Sequence, residues 1–240
     1  MFFPWYALMY PLSFVAIWFL ARRAPVRVSQ EISLQPAELD VVIVWAMVGA
    51  MVGGRLGYVV LYEPGHYLKN PLEIFQLWRG GMSFHGGLLG VLAVARLTSG
   101  AQAFWPVMDR LALWVPLGLC LGRLGNFFSG ELWGLPSDLP WAMVFDEAGP
   151  ETRHPSQLYE ACLEGPLLMA GLRLYARRSP GPGKTAALMA VGYGFLRIAV
   201  EFFREPDPAW GYLAFGWLTL GQVLSLGLAG VGLKIFLTRP

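Results

Sequence analysis

Long apolar stretches recur along the whole chain and are separated by short polar links. They cover residues 2–21, 41–62, 82–97, 106–127, 158–175, 185–203 and 215–237. A helix needs about 20 apolar residues to cross the hydrocarbon core of a bilayer. With 55% hydrophobic and only 14% charged residues, the chain is also far more apolar than a soluble domain. The sequence therefore predicts an all-α integral membrane protein, a bundle of about seven transmembrane helices.

Lys and Arg are distributed unevenly over the polar links. Arg22, Arg23 and Arg27 follow the first stretch, and Arg177 and Arg178 follow the fifth. Because cytoplasmic loops of membrane proteins are enriched in these residues, we expect a periplasmic N-terminus and a cytoplasmic C-terminus. The formal net charge is only +2 and forms no basic stripe, so nothing indicates nucleic-acid binding.

Two polar links, 63–81 and 131–157, fall on the outer side in this topology. The first contains a short amphipathic piece at 72–78, a pattern typical of segments that lie along a membrane surface. The second is long enough to cover a site. We expect both links to enclose one transmembrane domain that comprises residues 1–240.

Residues 122–134 place polar groups at the end of an apolar run. Arg123, Asn126 and Glu131 occur here. The insertion of such a group into lipid costs roughly several kcal/mol of free energy unless the group meets a polar partner. Arg123 and Asn126 are three positions apart and would share one helix face. We interpret this segment as a functional site.

A second polar stripe lies in the sixth stretch. Tyr193, Arg197, Glu201 and Arg204 follow one another at helical spacing. Arg197 and Glu201 could simply neutralise each other. However, Arg123 and Arg197 lie on different stretches at the same depth, and planar guanidinium groups match phosphate well. This pattern favours a site for an anionic lipid headgroup.

The second and third stretches carry two further candidates. His85 precedes Gly86 and Gly87, which permit close backbone approach, so it is a candidate general base, although a buried core histidine is also common. Arg55 lies among glycines whose spacing of three or four residues favours close helix packing. For Arg55, a structural ion pair and a role in the site are equally compatible with the sequence.

The segment Gly-Arg-Leu-Gly-Asn-Phe at 122–127, followed by Gly130, Glu131 and Gly134, resembles the signature of bacterial prolipoprotein diacylglyceryl transferases. The resemblance extends to blocks at 5–10, 53–58, 80–87, 153–160 and 193–204, in the same order. One departure is Ser129, where the family usually has asparagine.

The resemblance implies transfer of the sn-1,2-diacylglyceryl group from phosphatidylglycerol to the lipobox cysteine of a preprolipoprotein signal peptide. The products would be a thioether and glycerol 1-phosphate, in the first step of bacterial lipoprotein maturation. It implies no cofactor and no metal. It also implies a multi-pass protein of the bacterial cytoplasmic (inner) membrane, surrounded by membrane lipids, with its site near the periplasmic leaflet.

The resemblance also assigns roles to individual residues. Arg123, Arg197, His85 and Glu131 are the candidate catalytic residues. The two arginines would bind the lipid phosphate, and Glu131, with Asn126, would hold the arginines and the headgroup. His85 is the first choice to take the thiol proton, but the spacing leaves the identity of the base open. The residues implied to bind substrate are Tyr6, Asn126, Gly134, His154, Tyr193, Glu201 and Arg204.

Two other functions were weighed from the residues. In a phospholipid hydrolase water would attack instead of a thiolate, but no serine, metal cluster or paired aspartates in the sequence supports that reaction. A lipid transporter or flippase would need a polar path across the whole bilayer. The polar residues of this chain instead gather towards one end of the apolar stretches.

Overall fold

The structure is a computed structural model that describes residues 5–23, 36–77, 80–207 and 210–239. The side chains of residues 5–7, 10 and 36–38 lie outside this description. Most of the described chain is helical. Three of its helices are long and apolar enough to cross a bilayer, at Leu39–Leu61, Phe84–Ala112 and Leu220–Thr238. The length and composition of these helices confirm the prediction of a helical membrane protein.

The helices follow the order of the apolar stretches. They are α1 Trp5–Arg23, α2 Pro36–Leu61, α3 Pro64–Lys69, α4 Phe84–Ala112, α5 Val115–Phe128, α6 Ser156–Cys162, α7 Leu168–Ala176, α8 Lys184–Glu201 and α9 Leu220–Thr238. Single 3₁₀ turns occupy Pro71–Phe75 and Asp146–Ala148. Two antiparallel hairpins pair β1 Met143–Val144 with β2 Thr152–Arg153, and β3 Tyr212–Ala214 with β4 Leu218–Thr219.

Two of the predicted helix boundaries are wrong. The stretch 106–127 is not one helix, because α4 continues to Ala112 and α5 begins at Val115, with Pro116 in its first turn where proline is favoured. The backbone of α4 breaks earlier, at Gly100, whose φ of 72° favours glycine. The stretch 158–175 is likewise divided by a π turn, Leu163–Leu167, between α6 and α7.

The described chain divides into two compact units, Ile32–Val107 and Met1–Glu31 with Met108–Pro240. In the Ile32–Val107 unit, α2 and α4 pack through glycines. A Cβ atom on Gly53 would lie 2.4 Å from the carbonyl oxygen of Gly86, and one on Gly90 would lie 2.0 Å from that of Gly49. The close helix packing expected from the glycine spacing is therefore confirmed.

Arg55 is almost completely buried in the same unit, at 3% exposure. Its Nε donates to the carbonyl oxygen of Ile74 at 2.8 Å, and its Nη2 donates to that of Glu73 at 2.7 Å. Further main-chain oxygens that it binds belong to Gln76, Gly80 and Gly81. The guanidinium group thus holds the polar link after α3 in place through its backbone, a role that neither sequence interpretation had given it.

Replacement of Arg55 by lysine is expected to destabilise this unit. An ammonium group has three donors on one atom and cannot span five carbonyl oxygens, so the free energy of unfolding should fall by about 2–4 kcal/mol. Thermal unfolding in detergent measures the change. The exposed Arg96→Lys is the matched control, and equal midpoints for the two variants would contradict the assigned role.

In the other unit α8 packs along α9, and α1 packs along α5. Its apolar core includes Leu113, Leu168, Leu172 and the ring of Tyr193. Asp109 of α4 is buried beside the first turn of α8, where its carboxylate oxygens accept hydrogen bonds from the main-chain N–H groups of Gly183 (2.6 Å) and Ala186 (2.8 Å). A carboxylate from another helix thereby caps α8, the helix that carries the second polar stripe.

Candidate active site

Three arginines of the Met1–Glu31 and Met108–Pro240 unit meet at one buried carboxylate, that of Glu160 in α6. Arg123 of α5 pairs through Nε with Glu160 Oε2. Arg204, just after α8, donates from Nη1 to Glu160 Oε1 at 3.1 Å, and Arg197 Nη1 lies 3.5 Å from the same oxygen. The side chain of Glu160 is only 1% exposed. We call these four residues the arginine cluster.

Arg197 has a second partner on its own helix. Its Nη2 lies 2.7 Å from Glu201 Oε2, so the helix pair considered from the sequence does form. Glu201 is held in turn by Thr219, whose hydroxyl donates to Glu201 Oε1 at 2.8 Å. Thr219 also caps α9 in a reciprocal capping box with Gln222. The start of α9 therefore fixes Glu201, and Glu201 orients Arg197 towards the cluster.

Asn126 lies beside Arg123, as the spacing of three residues predicts. Its side chain is buried, and its Oδ1 accepts a hydrogen bond from Arg123 Nη1 at 3.5 Å. Tyr193 is buried on α8 one turn before Arg197. The structure thus brings together five of the predicted site residues, Arg123, Asn126, Arg197, Glu201 and Arg204, with Tyr193 one turn away.

Gly134 and His154 lie in the polar link before α6, against the end of α8. The N–H of Gly134 donates to the carbonyl oxygen of His154 at 2.9 Å. A Cβ atom on Gly134 would lie 2.4 Å from the carbonyl oxygen of Phe203 and 2.7 Å from the Cβ of His154. The ring of His154 packs edge-on against Phe203, and its Nδ1 is 3.1 Å from the Tyr159 hydroxyl. Only glycine fits the close contact at position 134.

Glu131, His85 and Tyr6 are the remaining predicted residues. The side chain of Glu131 is exposed, while its main-chain N–H donates to the Asn126 carbonyl at 2.9 Å and its carbonyl oxygen accepts from Gln157 at 2.6 Å. His85 belongs to the Ile32–Val107 unit, in the first turn of α4, which the Ser83 hydroxyl caps at Gly86 N–H. The side chain of Tyr6 lies outside the described residues.

Sequence reasoning missed the central carboxylate. Glu160 appeared only within a block of the family resemblance, and Glu164 and Thr219 were not singled out. A signal for the two glutamates was present, because both interrupt the apolar stretch 158–175 and a charge in such a stretch indicates a functional or paired group. Nothing in the sequence marks Thr219 as the residue that holds Glu201.

The ion pairs of the cluster leave an excess of positive charge. Three guanidinium groups pair with two carboxylates, those of Glu160 and Glu201. The arginine side chains are mostly withdrawn from solvent, with exposures of 18% for Arg123, 10% for Arg197 and 14% for Arg204. A desolvated group of planar, positively charged donors is suited to bind a phosphate and to stabilise charge that develops on it.

The family model described as prolipoprotein diacylglyceryl transferase matches residues 2–238. The chain belongs to this family. Among its relatives, the phosphatidylglycerol–prolipoprotein diacylglyceryl transferase of Nitratidesulfovibrio vulgaris strain Miyazaki F is 51% identical over 98% of this chain and 89% of its own length. Two proteins of the same name are 49% identical. The alignment with the Methylococcus capsulatus protein covers 96% of this chain and 88% of that protein. The alignment with the Bordetella bronchiseptica protein covers 98% of this chain and 91% of that protein.

These matches confirm the family that the motifs at 122–134 indicated. The family name describes a transferase that acts on prolipoprotein, and the names of the relatives add phosphatidylglycerol as the lipid.

Proposed function

We propose that this chain transfers the sn-1,2-diacylglyceryl group of phosphatidylglycerol to the lipobox cysteine thiol of a preprolipoprotein signal peptide. The sulfur forms a bond to the terminal glycerol carbon of the diacylglyceryl group as the bond from that carbon to the phosphate oxygen breaks. The electron pair of the broken bond stays on the phosphate, which leaves as glycerol 1-phosphate. The thiol proton passes to a base.

One observation carries this proposal: Arg123 and Arg197, from two different helices, converge on one carboxylate. Guanidinium groups that meet at the two oxygens of one carboxylate inside the protein can also meet at a phosphate group. Arg197 Nη1 has no hydrogen-bond partner among the described residues and is directed towards Glu160 at 3.5 Å. This donor would be satisfied by a phosphate oxygen of the bound lipid.

Arg204 and the residues that contact Arg123 and Arg197 would support this phosphate site. Asn126 would hold Arg123, while Glu201 would hold Arg197, and Arg204 would supply a third positive charge. Positive charge directed at the leaving phosphate lowers the barrier because it binds the leaving group more strongly as its charge increases. The roles that the family resemblance implies for Glu131, Tyr6, Gly134, His154 and Tyr193 are part of this proposal, and His85 is one candidate for the base.

The membrane arrangement belongs to the same proposal. A bundle of about seven spanning helices, with the N-terminus periplasmic and the C-terminus cytoplasmic, would put the ends of α5 and α8 on the outer side of the bacterial inner membrane. The arginine cluster would then lie near the periplasmic leaflet, where the lipid headgroup and a translocated signal peptide are both accessible.

Product analysis tests the function directly. The purified protein is incubated with vesicles of labelled phosphatidylglycerol, with and without a lipobox peptide. We expect a diacylglyceryl thioether on the peptide cysteine, release of glycerol 1-phosphate, and neither product when the cysteine is replaced by serine. Diacylglycerol formed without the peptide would instead identify a hydrolase, and lipid movement without a covalent product would identify a transporter.

A further inference from the structure

Glu164 lies near the arginine cluster and is fully buried. Within the described part of the chain, neither of its carboxylate oxygens accepts a hydrogen bond. Its exposure is 0%. Neither Oε1 nor Oε2 has a hydrogen-bond partner among the described residues. A carboxylate removed from water is costly unless donors or cations surround it. Both oxygens of Glu164 are therefore available to a group of a bound substrate.

The backbone around Glu164 is distorted in a way that stabilises its position. Glu164 lies in the π turn Leu163–Leu167, one turn beyond Glu160. A Cβ atom on the next residue, Gly165, would lie 2.6 Å from the Cβ of Cys120, so this turn packs directly against α5. Turns of this kind inside helices occur frequently at functional sites.

The groups that interact electrostatically with Glu164 come from each helix around it. They are Arg123 of α5, Glu160 of α6, Arg197 and Tyr193 of α8, and Arg204. Along α6 the chain runs from the polar link towards Glu164, and along α8 Tyr193 precedes Arg197 by one turn. Glu164 and Tyr193 therefore lie next to the arginine cluster, on the side away from the polar link before α6.

We infer that Glu164 accepts the proton of the substrate thiol in the transfer reaction. The inference rests on the function proposed above. The proton moves from sulfur to a carboxylate oxygen of Glu164, the sulfur electron pair forms the new bond to carbon, and the carbon–oxygen bond breaks towards the phosphate. No further reactant is needed.

The charges of the cluster explain why a carboxylate suits this step. As the reaction proceeds, Glu164 loses a negative charge while the phosphate changes from a diester to a monoester and gains one. The three arginines therefore face the same total charge before and after transfer. A site that keeps its total charge constant needs little reorganisation in a low-dielectric environment. The negative charge lost at Glu164 reappears on the leaving phosphate, where Arg123 and Arg197 would bind it.

A peptide with selenocysteine at the lipobox position tests this role. A selenol is already ionised near neutral pH and needs no base, whereas a thiol does. With the cysteine peptide, Glu164→Gln is expected to reduce kcat by about 100-fold or more, the range for loss of a general base. With the selenocysteine peptide, the same variant should come within about 10-fold of the parent. The exposed Glu147→Gln is the matched control and should retain parental rates with both peptides.

His85→Gln is measured in parallel, because His85 is the first choice of base from the sequence. Rescue of Glu164→Gln by selenocysteine, without rescue of His85→Gln, supports the assignment to Glu164. The inference is overturned if Glu164→Gln keeps the parental rate with the cysteine peptide, or if it loses activity equally with both peptides. Failure of the parent to form any thioether would overturn the proposed function as well, so the two failures are distinguishable.

Discussion

Alanine in place of Arg123 or Arg197 is expected to reduce diacylglyceryl transfer by about 10²–10³-fold for each residue, because each variant removes a charged donor to the leaving phosphate. The two side chains reach the same carboxylate from α5 and α8, so neither can replace the other. Lysine should restore little activity, since an ammonium group lacks the planar fork that binds two oxygens at once. The measurement is kcat and KM for phosphatidylglycerol with a fixed lipobox peptide.

The control for these variants is Arg177→Ala. Arg177 is exposed at the end of α7, outside the cluster, and its replacement should leave both constants unchanged. Thermal unfolding shows whether each variant is folded. A folded Arg123→Ala or Arg197→Ala enzyme with the parental rate would remove that residue from the phosphate site.

Replacement of Glu160 by glutamine is expected to have the largest effect on stability. The carboxylate is shared by three arginines and is 1% exposed, so its neutralisation leaves buried positive charges without their common partner. Loss of one member of a buried ion pair costs about 3–5 kcal/mol. We expect a clearly lower thermal midpoint in detergent and a parallel loss of transfer.

Glycerol 1-phosphate provides a sharper readout for the same variant. If the cluster binds phosphate, this anion should raise the midpoint of Glu160→Gln more than that of the parent, because it supplies the negative charge that the variant lacks. The control is Glu205→Gln, which removes a more exposed partner of Arg153 and should change stability by less than about 1 kcal/mol. An unchanged midpoint for Glu160→Gln, or equal responses of parent and variant to the anion, would contradict this account of the cluster.

Features that depend on neighbours along the chain follow from the sequence. Hydropathy indicated a helical membrane protein, since a bilayer requires long apolar helices. Helical spacing put Arg123 beside Asn126 and Arg197 beside Glu201, because residues three and four apart share a face. The glycines of α2 predicted close packing, and the motif at 122–134 indicated the family.

Tertiary structure alone decided how these features combine. Arg55 binds main-chain oxygens of the link after α3, and no residue pattern predicts these contacts. Glu160 pairs with arginines of α5 and α8. Thr219, just before α9, donates a hydrogen bond to Glu201 at the end of α8. The break at Gly100 falls in the polar link between the stretches 82–97 and 106–127, whereas the continuation of α4 to Ala112 and the π turn depend on packing. The partners of a buried charge come from helices far apart in sequence, so only the packed bundle determines which groups meet.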